Sequence, residues 1–230
     1  KISFPFSVQP GKWVLEMDRM GKSFGNNVLF KDVSITVGRG EKIALLGANG
    51  TGKTTLLKRV MNKLEGDGSI TYGHNVNVAY FAQDQAETLD SEKTVYETVD
   101  DIAKGEIRNN LRKVLGAFLF SGEDVDKKVA VLSGGERTRL ALCELLLSPS
   151  NFLILDEPTN HLDIQSKEVL KQALIKYEGT FIVVSHDREF LDNLTNRIWD
   201  IEDRALKVHH FGVNEFLKRK MELINPVHKK

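Results

Sequence analysis

The sequence has almost no cysteine and no long apolar run. Only one of its 230 residues is cysteine, so no disulfide can form within the chain. Its apolar runs are shorter than a membrane-spanning helix requires, and no secretory signal peptide is visible. We therefore expect a cytoplasmic location and no membrane domain, and we expect Cys143, which lies in an apolar helical pattern, to be a core residue.

Net charge is also lacking. Lys and Arg together number 32, and Asp and Glu together number 32. A protein without an excess of positive charge has no general attraction for a polyanion, so tight binding of nucleic acid by this chain alone is disfavoured. The remaining composition, with 41% hydrophobic and 28% charged residues, is typical of a globular domain large enough for one sizeable core.

A phosphate-binding loop is present. Residues 47–54 read GANGTGKT and fit the pattern G-x-x-x-x-G-K-[ST]. The loop follows an apolar run predicted as a buried strand, Lys42–Leu46, and precedes a predicted helix, Thr55–Met61. Glycines let backbone N–H groups approach phosphate oxygens, while Lys53 supplies a positive charge and Thr54 a hydroxyl for Mg²⁺. The alternative is a Gly-rich turn that only happens to contain a lysine, and the strand–loop–helix context disfavours it.

Two further predicted strands end in polar residues. The apolar run Phe152–Leu155 is followed by Asp156 and Glu157, and the run Thr180–Val184 leads into His186. Because ligands of α/β proteins bind at the carboxyl ends of the strands, these side chains should lie beside the phosphate loop. An aspartate there suits Mg²⁺, and a glutamate suits the polarisation of an attacking water. The histidine could contact a γ-phosphate.

Three other features have simple structural alternatives. Residues 132–136, LSGGE, precede a predicted helix over 138–147 and could form either an anion-binding helix N-terminus or an ordinary N-cap. Gln83, at the end of a predicted strand over 76–81, could reach a metal or water, or could cap a turn. Phe24 taken alone would be a core residue.

The predicted elements indicate an α/β fold. It comprises a phosphate-loop core with a mixed sheet, an antiparallel β portion that includes predicted strands 13–17 and 33–37, and a small helical subdomain. The helical subdomain spans about 86–147, where apolar residues recur at helical spacing. Residues 1–12 resemble a linker that enters a single domain over 13–230.

These motifs, in this order, resemble the nucleotide-binding domain of the ATP-binding cassette (ABC) superfamily over nearly the whole chain. Residues 156–163, DEPTNHLD, and 185–192, SHDREFLD, are similar to the ABC-F family. Members of that family carry two cassettes in one polypeptide, and many act on the ribosome as translation factors or protect it from antibiotics. The opening Phe4-Pro5-Phe6 and the lack of an initial Met resemble the start of a second cassette.

The resemblance implies a role for each motif residue. The implied ATP-binding residues are Phe24, which would stack on adenine, and Gly47, Ala48, Asn49, Gly50, Thr51, Gly52, Lys53, Thr54 and Thr55. The implied catalytic residues are Glu157, His186 and Gln83, and the implied Mg²⁺ ligands are Thr54, Gln83 and Asp156. The residues implied to act in trans, on the site of an opposing cassette, are Ser133, Gly134, Gly135, Glu136 and Asp163. Tyrosine is commoner than phenylalanine at the adenine-stacking position.

The resemblance implies an ATPase. Water would attack the γ-phosphate of Mg·ATP in a site closed by a second cassette, of the same polypeptide or of a second copy, and hydrolysis would drive opening and closing on the ribosome. The alternative is the ATPase subunit of an ABC membrane transporter, which shares all the catalytic residues; the segment 160–163, NHLD, favours ABC-F. A third reading is a module that closes on ATP and scarcely hydrolyses it.

Overall fold

The computed structural model describes residues 4, 8–82 and 84–224. Gln83, predicted both as a Mg²⁺ ligand and as a catalytic residue, lies outside the described residues, as do Pro5 and Phe6. The strands are β1 (Trp13–Phe24), β2 (Asn27–Gly38), β3 (Lys42–Leu46), β4 (Asp67–Tyr72), β5 (Val78–Phe81), β6 (Phe152–Asp156), β7 (Thr180–Val184), β8 (Arg197–Glu202) and β9 (Ala205–His209). The helices are α1 (Lys53–Val60), α2 (Val95–Asp100), α3 (Leu111–Ala117), α4 (Gly134–Leu147), α5 (Ile164–Lys176), α6 (Arg188–Leu191) and α7 (Val213–Ile224).

The strands form two sheets. A six-stranded sheet has the order β5-β6-β7-β3-β8-β9 and is parallel except for its edge strand β9. A three-stranded antiparallel sheet has the order β2-β1-β4. The mixed α/β architecture with an antiparallel portion, predicted from the sequence, is confirmed.

Both faces of the six-stranded sheet are buried, which explains its unbroken apolar runs. Successive side chains of a strand point to opposite faces. Ile43 and Ile154 pack in one cluster with the antiparallel sheet and α1, whereas Ala44 and Leu153 pack in a second cluster with helices α3, α4 and α5. Cys143 is buried in the second cluster, as predicted.

Several boundaries differ from the sequence prediction, and those of β1 and α4 have a clear local reason. Strand β1 continues past Met17 to Phe24, because a bulge near Arg19, whose φ is 47°, interrupts the alternation of the sequence without ending the pairing. Helix α4 begins at Gly134 rather than at Thr138. Glycine has poor helix propensity, but a reciprocal capping box with Ser133 starts the helix there.

Helices dominate between β5 and β6. Short α2 and α3 alternate with 3₁₀ turns and lead into α4, and their apolar side chains, such as Val99 and Leu115, join the second cluster. Among the helices that the structure describes, none combines the length and the apolar character needed to cross a membrane.

Candidate nucleotide-binding site

The carboxyl ends of β3, β6 and β7 meet at one edge of the six-stranded sheet. These strands are neighbours in register, with Leu155 opposite Val183 and Ala44 opposite Val183 on its other side. The phosphate loop follows β3, Asp156 ends β6, and His186 follows β7 closely. The predicted residues of the loop, the acidic pair and the histidine are therefore brought together.

Glycines determine the shape of the phosphate loop. Gly47, Gly50 and Gly52 have φ values of 153°, 81° and 103°, which L side chains rarely adopt. A Cβ added at Gly47 would lie 2.7 Å from Oγ1 of Thr51, whose hydroxyl donates to the carbonyl of Ala48 at 2.7 Å. The Thr51 side chain thus closes the loop onto its own backbone and leaves no room for a larger residue at Gly47.

Helix α1 presents its N-terminus to this loop. The residue before it, Gly52, has no side chain that could cap it, and its first turn contains no acidic residue. The first N–H groups of a helix lack intrahelical partners and attract anions. Ala48, Asn49 and Gly50 are exposed around this helix end. The arrangement is suited to a phosphate chain.

Lys53 lies inside the loop. Its ammonium donates to the carbonyl of Gly47 at 2.5 Å and is partly buried. Burial lowers the pKa of Lys53, while the nearby carboxylates of Glu157 and Asp156 oppose that shift. The Lys53 ammonium, placed between the loop and these two carboxylates, can bind a phosphate oxygen while the carboxylates stay near it.

Asp156 and Thr54 fit a Mg²⁺ site. Asp156 is 5% exposed; burial raises its pKa, and interaction with the Thr54 hydroxyl and Lys53 offsets part of that rise. Within the described residues, no three His, Cys, Asp or Glu side chains are close enough to hold a metal by themselves. Mg²⁺ at a nucleotide takes one or two protein ligands and completes its shell with phosphates and water, so one carboxylate and one hydroxyl suffice.

Glu157 is held in an unusual backbone conformation. Its φ is 49°, which is uncommon for a residue other than glycine, and its N–H donates to the carbonyl of Val184 at 2.8 Å. Oε1 of Glu157 lies 3.2 Å from Nε2 of His186. Burial raises the pKa of Glu157, although His186 opposes the shift. A buried carboxylate beside a histidine at a strand end can accept a proton from a water molecule.

Two cavities adjoin His186. One, of about 570 Å³, is lined by Glu157, His161, Lys167 and Asp187, among others. The other, of about 540 Å³, extends from Gly47, Ala48 and Thr51 towards α7. His186, with 62% of its side chain exposed, therefore lies at the boundary between the phosphate loop and the region beyond Glu157.

The residues predicted to act in trans do not line either cavity. Ser133 and Glu136 bond each other's backbone at the start of α4, at 3.2 and 3.0 Å. Gly135 abuts the loop after Glu157, since a Cβ there would lie 3.0 Å from the carbonyl oxygen of His161. Asp163 caps α5 and accepts from the N–H of Ser166 at 2.7 Å. Within one cassette these residues have structural partners of their own.

Phe24 ends strand β1 and is 52% exposed. The ammonium of Lys22 lies 4.8 Å from the centre of its ring. An exposed ring at a strand end contributes little to a core and leaves a face available for stacking. Thr55, the last predicted ATP-binding residue, is partly buried in the first turn of α1.

Sequence reasoning missed two ion pairs near the site. Lys167 donates to Asp187, next to His186, at 2.9 Å. Nζ of Lys220, on α7, lies 3.4 Å from the buried carboxylate of Asp200. Each pair joins distant segments. No local pattern in the sequence connects the members of either pair.

Comparison with protein families gives one matching model. Residues 30–160 match the family described as ABC transporter, which is more than half of the chain. A search of solved structures finds "Structure of a bacterial Atm1-family ABC exporter with ATP bound", with a TM-score of 0.74 over 94% of this chain and 41% of that one, at 17% identity. That likeness concerns the fold.

Several curated proteins are similar over nearly the whole chain. ABC transporter F family member 5 of Arabidopsis thaliana is 43% identical over 96% of this chain and 32% of its own length. The putative ATP-binding protein YdiF of Bacillus subtilis is 45% identical over 95% of this chain and 34% of its own. The ATP-binding protein Uup of Escherichia coli K12 is 46% identical over 88% and 32%. The chain thus spans about a third of the length of these relatives.

Proposed function

Because this chain belongs to the ABC transporter family of ATPase domains, and within it to the ABC-F type, we propose that it is one of two cassettes that bind and hydrolyse ATP between them. ATPase activity of the ABC type follows from the family. The roles of the individual residues, the metal and the partners are part of the proposal.

The proposed reaction is attack of water on the γ-phosphate of Mg·ATP. The loop 47–54 and the N-terminus of α1 bind the phosphates, and Lys53 neutralises their charge. Thr54, Asp156 and the predicted ligand Gln83 would hold Mg²⁺, which would supply positive charge to stabilise the charge that develops on the phosphates. Glu157 accepts the proton of the attacking water, and the His186 side chain lies beside the Glu157 carboxylate.

The position of Glu157 carries this proposal. Its carboxylate is buried, follows directly after the end of β6, and lies 3.2 Å from His186 and close enough to Lys53 to affect that residue's pKa. A buried acid with no role in chemistry is normally satisfied by hydrogen bonds within the core. Glu157 instead lines the cavity of about 570 Å³ together with His186, which also lines the cavity at the phosphate loop.

A second cassette is proposed as the partner. The exposed N-terminus of α4 at Ser133–Glu136, together with Asp163, would close the site of that cassette, and its equivalents would close this one. The relatives are about three times as long as the aligned segment, which leaves room for another cassette and a linker. We further propose that this chain is the second cassette of such a protein, preceded by a linker that includes residues 1–12.

The proposed target of the whole protein is the ribosome. The likeness to ABC-F proteins supports it, and so does the segment 160–163, NHLD. The rival is the ATPase subunit of a membrane transporter, which would use the same catalytic groups. A cytoplasmic location is part of the proposal for the ribosomal role.

We expect the Glu157→Gln variant of the complete polypeptide to remain on ribosomes when ATP is present. Blocked hydrolysis would leave ATP between the cassettes, and the bound ATP would stabilise their closed form by mass action. Sedimentation with ribosomes through a sucrose cushion, with and without ATP, measures this retention. A variant that binds ATP but pellets no more than wild type would remove the main support for the ribosomal role without affecting the ATPase assignment.

Replacement of Phe24 tests whether its ring stacks on adenine. We expect Phe24→Ala to weaken ATP binding by about 1–3 kcal/mol, the scale of aromatic–base stacking. The ring is half exposed, so its loss should cost the fold little. Calorimetric titration with ATP measures the effect, and Phe24→Tyr is the control that should keep the affinity. An unchanged dissociation constant for the alanine variant would return Phe24 to a structural role.

A further inference from the structure

The loop that carries His186 has few contacts of its own. The His186 side chain is 62% exposed and touches Glu157 through Nε2. Before it, the buried residue Ser185 accepts a hydrogen bond from the N–H of Asp187 at 3.0 Å. His186 is therefore held by Glu157, through Nε2 and through a hydrogen bond from its backbone N–H, and by its neighbour Asp187, whose side chain bonds two other segments.

Both carboxylate oxygens of Asp187 are engaged. Oδ1 accepts from the N–H of Phe190 at 3.0 Å and so caps helix α6. Oδ2 accepts from Nζ of Lys167, on helix α5, at 2.9 Å. The Asp187 side chain is 23% exposed, so salt screens this ion pair less than it would screen a fully exposed one. One residue thus ties the loop of His186 to two helices.

Lys167 lies one helical turn after Asp163. The N–H of Lys167 donates to the Asp163 carbonyl at 3.0 Å, and Asp163 caps this helix through Ser166. The first turn of α5 is consequently a single hydrogen-bonded unit with Asp163 at its start and the Lys167 ammonium one turn later. His186 and Lys167 also line the same cavity of about 570 Å³.

We propose that Lys167 is a positioning residue that couples Asp163 to His186. A displacement of the first turn of α5, where the opposing cassette is proposed to contact Asp163, moves the Lys167 ammonium and with it Asp187. His186 then shifts relative to Glu157. In this role Lys167 acts through Asp187 and not through contact with the nucleotide or the attacking water. This inference rests on the proposed hydrolysis at Glu157, and it adds a route by which closure of the cassettes reaches the γ-phosphate end of the site.

Helix α5 offers a matched control. Lys171, one turn after Lys167, also reaches the segment of α6, where it donates to the carbonyl of Glu189 at 2.8 Å. It ties the same two helices without contacting Asp187. A purely structural link between α5 and α6 would make the two lysines equivalent. A positioning role makes Lys167 alone matter for turnover.

The test compares Lys167→Met with Lys171→Met in the complete polypeptide. We expect Lys167→Met to lower kcat about tenfold, within the range of coupling between sites, with KM for ATP changed less than about twofold. Lys171→Met should keep kcat within about twofold, as for a surface change away from the site. Lys167→Arg, which can still donate to Asp187, should restore most of the activity. Adding Asp187→Asn to Lys167→Met should cause little further loss, because both changes break the same contact.

The outcomes separate this inference from the proposed function. If wild type hydrolyses ATP and the two methionine variants turn over equally, the positioning role is wrong and the ATPase assignment stands. The role is also wrong if the loss appears in KM alone, or if thermal unfolding shows that Lys167→Met loses activity only through a lower melting temperature. If wild type itself does not hydrolyse ATP, the proposed function and this inference fail together.

Discussion

Glu157→Gln is expected to abolish turnover while leaving ATP binding intact. The amide keeps the size and hydrogen-bonding reach of the carboxylate but cannot accept a proton from water. Loss of a general base typically lowers the rate by about 10²–10⁴-fold. Lys53, Thr54 and Asp156 are unchanged, so the affinity for Mg·ATP should remain close to that of wild type. Steady-state phosphate release and an equilibrium titration with ATP measure the two quantities separately.

A control shows that the effect belongs to this carboxylate. Glu87→Gln changes the same group at an exposed position of the chain and should hydrolyse ATP at the wild-type rate. If Glu157→Gln also turns over at that rate, Glu157 is not the base. In that case His186 or Gln83 would have to activate the water. If the variant loses affinity for ATP in proportion to its rate, the carboxylate contributes to binding rather than to chemistry.

Gly134→Glu is expected to stop hydrolysis from a position outside the cassette's own phosphate loop. Gly134 begins α4, and a Cβ there would meet no atom within 4 Å, so the fold can accept the side chain. A glutamate in the first turn of a helix is also compatible with the helix dipole. In the closed pair of cassettes, however, the new carboxylate would face the phosphates of the opposing ATP. We expect turnover to fall at least about 10²-fold, the scale for losing electrostatic stabilisation in a transition state.

Gly134→Ala is the matched control for this change. It makes the same change in backbone freedom without adding charge, and it should retain far more activity than the glutamate variant. The isolated Gly134→Glu cassette should still bind ATP with wild-type affinity, because its own loop is intact. A glutamate variant that hydrolyses ATP normally would show that the N-terminus of α4 takes no part in any site.

The motifs of the phosphate site could be predicted because the chemistry fixes their residue types and spacing. The strands Lys42–Leu46 and Thr180–Val184 have the predicted bounds, since buried parallel strands are short apolar runs with polar residues at their ends. The family prediction, the ABC superfamily and its ABC-F type, is confirmed. The roles of the individual site residues stay predictions, and Gln83 lies outside the described residues.

Other features could not be predicted because they depend on tertiary contacts. The order of the strands places β7 between β6 and β3, although it follows both in the chain. The bond between Lys167 and Asp187 joins positions 20 residues apart, and no local pattern distinguishes Lys167 from the exposed lysines around it. The left-handed conformation of Glu157 arises from its N–H bond to Val184 on the neighbouring strand and leaves no signal in the sequence.

A mixing experiment with two variants of the 230-residue chain tests most directly whether each site is shared between two cassettes. Lys53→Ala leaves the α4 N-terminus intact but disables the phosphate loop. Gly134→Glu leaves the loop intact but disables the α4 N-terminus. Each variant alone should be nearly inactive. An equal mixture at concentrations that favour pairing should recover about a quarter of the wild-type rate, because half of the pairs are mixed and each mixed pair has one intact site of two. If the mixture is no more active than the separate variants, the two cassettes do not complete each other's sites and the account is wrong.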